Sequence, residues 1–504
     1  MSIAAPAVSA DNLTAFRRGL IMATVIMAST LYAMTILVVS VILPQMQGSL
    51  SATQDQIAWA MTFNILATAI VTPMTGWFAA RIGRRRLMIW SIAGFGIATL
   101  FCGLSESLAG LVFWRILQGA FGAPVIPMTQ AVLLDTYPKE QHSVVTSIFG
   151  MAVVIGPVIG PVLGGYLSDL YSWRWAFHMI LPFTALALIG LIAFLPDKGR
   201  ESQVRFDWTG FLALSVAIGC FQLMLDRGQR LDWFESAEII AEAVLAALAL
   251  YVFIVHSLSS THPFLNLRLL LDRNYSLGLV LVCVYGMLNF TPMVLLPPLL
   301  QGQMGYPDTV IGALLAARGV GAIGGFFLSM FVGRLDPRVG MLVGLAIQAW
   351  SGWLMMGFDL NVGFWDVAFV SALQGLSVGL IWVPMTVATF ATLDQRYLAE
   401  SSAIYHLLRN LGSSLFISLS VAALIRAGRI SYAELNEHIS LFNKALSFPS
   451  VLGPLDLESA RGLGSIAGEM ARQSAMLGYL TAFAMYTLAC VVVIPLVLMM
   501  RVRR

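Results

Sequence analysis

The chain has 504 residues and a formal charge of +3, with 58% of its residues hydrophobic and only 11% charged. A soluble globular chain carries about 25% charged residues, so a soluble enzyme or binding module is excluded and an all-α polytopic membrane protein is expected. The four cysteines fall within or at the ends of apolar stretches, with no CxxC pair and no histidine at ligand spacing, which supports neither a disulfide framework nor a metal site.

Apolar stretches of about 20 residues read as membrane spans. Fourteen are expected, at 19–44, 56–79, 87–104, 110–134, 143–167, 174–195, 207–225, 237–257, 274–300, 308–332, 339–358, 365–391, 402–425 and 475–500. They divide the chain into a tail (1–18), a six-helix bundle (19–200), two inserted spans (201–257) and a second six-helix bundle (258–504) that includes a long outward segment at 426–474. The tail is polar and small and the apolar run after it is far longer than a signal h-region, so no cleavable signal is expected. An even number of spans puts both termini on one side, where Arg17, Arg18, Arg81, Arg84, Arg85, Arg86, Lys139, Arg268, Arg273 and Arg338 fall. The short loops opposite carry only Arg174, Arg227 and Arg230. The positive-inside rule therefore places both termini in the cytoplasm, and the net charge reports topology rather than a nucleic-acid partner.

In chain order, the first span has Tyr32 and Thr35 on one face and ends near Pro44. The second carries Asn64, Thr68 and Thr72 at i+4 steps, a stripe that either lines a cavity or bonds its own carbonyls. It leads into GWFAARIGRRR (76–86), where Gly76 and Gly83 suggest a tight turn whose Arg84 and Arg85 cap the C-termini of neighbouring helices. The fourth span contains Arg115, with Gln118, Gly119 and Gly122 following on the same face. An arginine at a helix centre costs roughly 2.5–3.5 kcal/mol on insertion scales, so it marks a functional site by default. In the fifth span Gly156, Gly160 and Gly164 recur every four residues and invite close helix approach, while Pro157 and Pro161 loosen the helix.

The second bundle has its own polar positions. Tyr285 and Asn289 lie one turn apart before Pro292, Pro297 and Pro298, which predict a broken or bent helix. Arg318 stands among glycines, and His406, Arg409, Asn410 and Ser413 share a face that either fixes packing or contacts substrate. The segment 426–474 is too long for an ordinary connection and is expected to form an amphipathic helix over the mouth or a docking surface. A repeat ties the bundles together: LQGAFGAPVIPMT (117–129) recurs as LQGLSVGLIWVPMT (373–386), offset by 256 residues, which pairs Gln118 with Gln374 and Arg115 with Ser371. Such repeats typify transporters that rock two halves about a midplane site.

The turn at 76–86, the segment FWRILQGAFGAP (113–124) and GPVIGPVLGGYLSDLYSWRWAF (156–177) resemble three signature motifs of the major facilitator superfamily, in its fourteen-span branch of drug:proton antiporters of the EmrB/QacA type. The likeness extends to GRLDPRVG (333–340) and LLRNLGSS (407–414). It implies the major facilitator fold, two six-helix bundles plus two inserted helices, and export of small amphiphilic drugs from the cytoplasmic (inner) membrane, driven by the proton gradient with no cofactor. For Gram-negative relatives it also implies a periplasmic adaptor protein and an outer-membrane channel as partners, beside the membrane lipids. Two departures touch the coupling: the branch's first-span Asp is here Thr35, and an acid usual in the turn is Ala80.

The expected substrate and proton pathway comprises Arg115, Gln118, Thr35, Asn64, Thr68, Tyr285, Asn289, Arg318, Gln374, His406 and Arg409. The expected cytoplasmic gate is Gly76, Gly83, Arg84 and Arg85. An importer or lipid carrier on the same scaffold is the alternative within transport. A membrane enzyme would need a nucleophile or metal constellation such as HExxH or GxSxG, and a sensor would need a soluble domain. Three embedded arginines without a carboxylate at mid-depth favour neutral or anionic amphiphiles over quaternary ammonium compounds.

Overall fold

The computed structural model describes residues 14–52, 54–197, 206–260, 263–332, 336–394, 397–439 and 459–500. Among these, fourteen helices are long and apolar enough to cross a membrane, as the hydropathy pattern requires. The first bundle contains α1 (Ala15–Ser49), α2 (Gln54–Val71, continued through a 3-10 turn at Pro73 into Thr75–Ile82), α3 (Arg84–Leu104), α4 (Leu108–Thr136), α5 (His142–Leu170) and α6 (Trp175–Phe194). The inserted pair is α7 (Trp208–Arg227) and α8 (Ala237–Ser259). The second bundle is α9 (Arg273–Pro298), α10 (Asp308–Val332), α11 (Pro337–Met356), α12 (Phe364–Phe390), α13 (Leu398–His438) and α14 (Ala460–Leu498).

Lipid is as apolar as leucine, so helices associate in a membrane by close packing and hydrogen bonding rather than by hydrophobic drive. The repeat places small residues where this matters. A Cβ on Gly119 would stand 2.4 Å from the Asn64 carbonyl oxygen of α2, and one on Gly375, 256 residues later, 2.0 Å from the Arg318 carbonyl oxygen of α10. The α1/α5 pair and its counterpart α9/α13 use the same device. Cβ atoms on Gly156 and Gly412 would meet the carbonyl oxygens of Thr30 at 2.6 Å and Cys283 at 2.2 Å. Gly160 and Gly164 continue that contact along α1, against Met34 and Val38, and Pro157 and Pro161 lie inside the unbroken run of α5.

The inserted pair packs through α7, which lies against α2 and α13 on one side of the junction between the bundles. Thr62 donates to Asp226 at 2.7 Å and Ser418 donates to the Leu225 carbonyl at 2.9 Å. Helix α8 faces outward, with Val244, Leu248 and Tyr251 exposed. Asp207 fastens the pair at its other end, accepting from the Gly210 amide (2.9 Å), the Phe264 amide (3.0 Å) and the His256 ring (2.8 Å). Burial would push its carboxyl up, but these donors outweigh that and hold it below the usual carboxylate range.

Two expectations need correction. Helix α9 does not break at Pro292: it is α-helical through Pro298 and changes only afterwards, into a π-helical turn at Leu299–Gln303. Membrane helices tolerate proline where neighbours satisfy the freed groups, and Pro292 is buried in α9. Among its described residues, the segment 426–474 forms no separate helix over the mouth: 426–438 extend α13 to 41 residues and 460–474 begin the 39-residue α14. At about 1.5 Å per residue each helix runs about twice the roughly 30 Å hydrocarbon core. The two helices pack on each other where these extensions begin, with Gly478 against the Leu424 carbonyl and Gly428 facing Ser474. Residues 440–458, which include part of the expected amphipathic stretch, lie outside the described residues.

Replacing Gly375 by Ala should lower stability by about 1–3 kcal/mol, the usual cost of overpacking, because both groups it would strike are backbone. Gly464→Ala, in open space, should leave the thermal midpoint of purified protein unchanged.

Candidate functional site

The embedded arginines sit in three different settings. Arg115 is 1% exposed, with Nε donating to the Ala60 carbonyl at 2.9 Å and Nη1 donating to Gln118 Oε1. Gln118 in turn donates to Thr99 at 2.7 Å, and Asn64 donates to the Arg115 carbonyl at 2.7 Å. These bonds clamp α2, α3 and α4 together inside one bundle. The second bundle repeats the clamp with its charge moved: Gln374 donates to Met355 Sδ at 3.2 Å and accepts from Arg318 Nη1 at 3.2 Å. Gln374 and Met355 each lie 256 residues after Gln118 and Thr99, yet the guanidinium now comes from α10, Ser371 standing where Arg115 would be. Arg318 also donates through Nη2 to the Asn289 carbonyl (2.5 Å) and side-chain oxygen (2.7 Å).

Arg409 is different. It is half-buried on α13, and among the described residues its guanidinium bonds only its neighbour Asn410, at 3.1 Å from Nη2 and 3.4 Å from Nε. Aromatic faces supply the rest of its surroundings, with the guanidinium carbon 5.5 Å from the Trp382 ring centre and 5.9 Å from that of Phe290. Tyr285 packs on Trp382 at 5.1 Å. Tyr32 of the first bundle is within electrostatic reach of Arg409, its ring laid over Gly122 and its hydroxyl bonded to Thr68 at 3.0 Å. The remaining polar stripe of α1 and α2 bonds its own carbonyls: Thr35 to Tyr32 at 2.7 Å, Thr68 to Asn64 at 2.9 Å and Thr72 to Thr68 at 2.6 Å.

The two bundles meet near the membrane face that carries Arg84 and Lys139, the basic face. Gln130 of α4 accepts from Ser402 at 3.2 Å and bonds His406, both on α13. Ser143 of α5 donates to the Ser329 carbonyl of α10 at 3.2 Å, and a Cβ on Gly150 would strike the Phe326 ring. Gly76 abuts Glu400, so that a Cβ there would stand 2.8 Å from the Glu400 Cα and Cβ. Glu400 itself accepts from the Asn266 amide at 2.6 Å.

The expected gate residues thus divide. Gly76 touches the opposite bundle, and Gly83 makes the turn with φ +89°. Arg84 pairs with Asp135 at 2.8 Å and Arg85 donates to the Ile192 carbonyl of α6 at 2.5 Å, both contacts within the first bundle. Sequence reasoning passed over Gln130, Ser402 and Glu400. Ser402 and Glu400 fell at or before the expected start of their span, and a lone amide in an apolar run such as Gln130 shows its partner only once the helices are placed.

The major facilitator superfamily model matches residues 25–417. The chain belongs to the major facilitator superfamily. It is 33% identical over 443 residues to the multidrug export protein EmrB of Escherichia coli (strain K12), covering 86% of each chain. It is 30% identical to the fatty acid resistance protein FarB of Neisseria gonorrhoeae, covering 91% of each. Among solved structures, the human organic anion transporter MFSD10 superposes with a TM-score of 0.62 at 11% identity over 95% of this chain and 99% of that one, a likeness of fold. The superfamily's pairing of two bundles accounts for the repeat, and the protein is a multi-pass membrane protein of that superfamily, similar to multidrug exporters.

Because Arg115 is enclosed in its own bundle, Arg115→Ala should destabilise the protein by about 3–5 kcal/mol, the range for a broken buried charged network. Arg409→Ala should cost under about 1 kcal/mol. Thermal unfolding of the two purified variants checks the contrast.

Proposed function

We propose that the protein exports small amphiphilic compounds across the cytoplasmic membrane in exchange for protons, by alternating access between its two bundles. The basic face is the cytoplasmic one by the positive-inside rule, and both termini lie there. The observation that carries the reading is the set of contacts across the junction at that face, Gly76–Glu400, Gln130–Ser402, Gln130–His406 and Ser143–Ser329. In this conformation the cytoplasmic entrance is held shut, so substrate captured from the cytoplasm requires those contacts to part. The names of the relatives, multidrug export and fatty acid resistance, support the outward direction and the amphiphilic cargo. A periplasmic adaptor protein and an outer-membrane channel extend the route, and the paired extensions of α13 and α14 offer the adaptor a surface.

Proteoliposomes with an imposed pH gradient test the exchange: export of a fluorescent amphiphile should accelerate when the far side is acidic and cease when the gradient is collapsed. Transport unaffected by the gradient excludes proton coupling. Gly76→Val should prevent closure at the basic face, lowering transport at least tenfold and raising the labelling of a cysteine placed at Ser402 from the cytoplasmic side. Unchanged labelling would show that this contact does not hold the entrance.

A further inference from the structure

Of the three embedded arginines, Arg409 alone bonds no acceptor on another helix among the described residues. Arg115 places Nε and Nη1, and Arg318 places Nη1 and Nη2, on acceptors of their own bundles. Arg409 has only the long bonds to Asn410, and no bond is made by its Nη1 among the described residues. The Trp382 ring beside Arg409 also packs against Tyr285, at 5.1 Å, and Tyr405, at 5.4 Å, and Arg409 forms no ion pair among the described residues. Tyr405 is engaged with Thr386 at 2.9 Å and Tyr32 with Thr68 at 3.0 Å, whereas the Tyr285 hydroxyl makes no bond to described protein groups. Arg409 lies eleven residues into α13, about 16 Å from its start at about 1.5 Å per residue, near the middle of the hydrocarbon thickness.

We propose that Arg409 and the Tyr285 hydroxyl form the anion-binding end of the substrate site, taking the carboxylate or sulfonate of an amphiphile whose apolar body lies along Trp382 and Phe290. This rests on the export reading and adds the substrate's charge. An unpaired guanidinium held against aromatic faces offers two parallel N–H donors to a planar or tetrahedral oxyanion. It repels a quaternary ammonium, and no nearby carboxylate offsets that repulsion. Aromatic rings beside it provide an apolar surface for the rest of the ligand.

The test uses three ten-carbon probes that differ only in headgroup: decanesulfonate, decyltrimethylammonium and the neutral decyl glucoside. Binding is measured by radioligand competition on full-length protein in nanodiscs without a gradient, and flux is measured separately in proteoliposomes. Wild type should bind decanesulfonate at least tenfold more tightly than decyltrimethylammonium. Arg409→Gln should abolish that preference while leaving decyl glucoside within twofold, Arg409→Lys should retain part of it, and Tyr285→Phe should weaken decanesulfonate about threefold. Equal binding of the two charged probes by wild type, or undiminished decanesulfonate binding by a folded Arg409→Gln, overturns the assignment. If Arg409→Gln does not fold, Tyr285→Phe decides, and its failure to weaken decanesulfonate overturns the assignment. Preserved charge selectivity with no flux of any probe would leave the site standing and refute the export reading instead.

Discussion

A guanidinium can be kept inside a membrane bundle only if its donors are matched by acceptors that the surrounding helices already hold in place. The two glutamine clamps meet that constraint. Gln118 and Gln374 occupy the same place in each half, each turning its amide nitrogen to α3 or α11 and its oxygen to an arginine. Around each clamp a glycine one residue later lets the helix backbones touch. Packing and polar satisfaction therefore tie together the same three helices in both bundles.

What differs between the halves is the helix that supplies the charge. In the first half the arginine comes from the glutamine's own helix, three residues earlier, and is closed off at 1% exposure. In the second it reaches across from α10 and is tied to Asn289 as well. Arg409 has no such clamp and lies where α13 faces the junction. The two copies of the repeat thus hold Arg115 and Arg318 in clamps, while Arg409 bonds only its neighbour among the described residues.

The number of spans, the two-bundle plan, the close α1/α5 approach and the turn at Gly83 were legible in the sequence, because hydropathy, glycine spacing and the internal repeat are local or periodic signals. The depth of Arg115 was legible too. Its bonding partners were not, since they depend on Ala60 and, through Gln118, on Thr99, residues far away in sequence that nothing marks as acceptors. The π-helical turn after Pro298 shows a similar limit: prolines announce a freed carbonyl, but neighbouring helices decide where the chain yields. The long extensions of α13 and α14 escaped because polar helix beyond the membrane has no apolar run to reveal it.

The polar ties at the junction are weaker in kind than those inside the bundles. Each bundle is held internally by charged donors, worth about 1.5–3 kcal/mol apiece, whereas the polar ties across the basic face join an amide, an imidazole and hydroxyls to neutral acceptors, at about 0.5–1.5 kcal/mol each. Three such ties together amount to a few kcal/mol. That is the range in which a ligand with different affinity for two conformations can shift their populations. Stronger ties across the face, such as a buried ion pair, would hold the entrance shut against any amphiphile of ordinary affinity. Weaker ones within the bundles would let a substrate deform a half instead of turning it. The contrast, among the described residues, between charged clamps inside the halves and neutral ties between them suits the proposed movement of the two bundles about a common site.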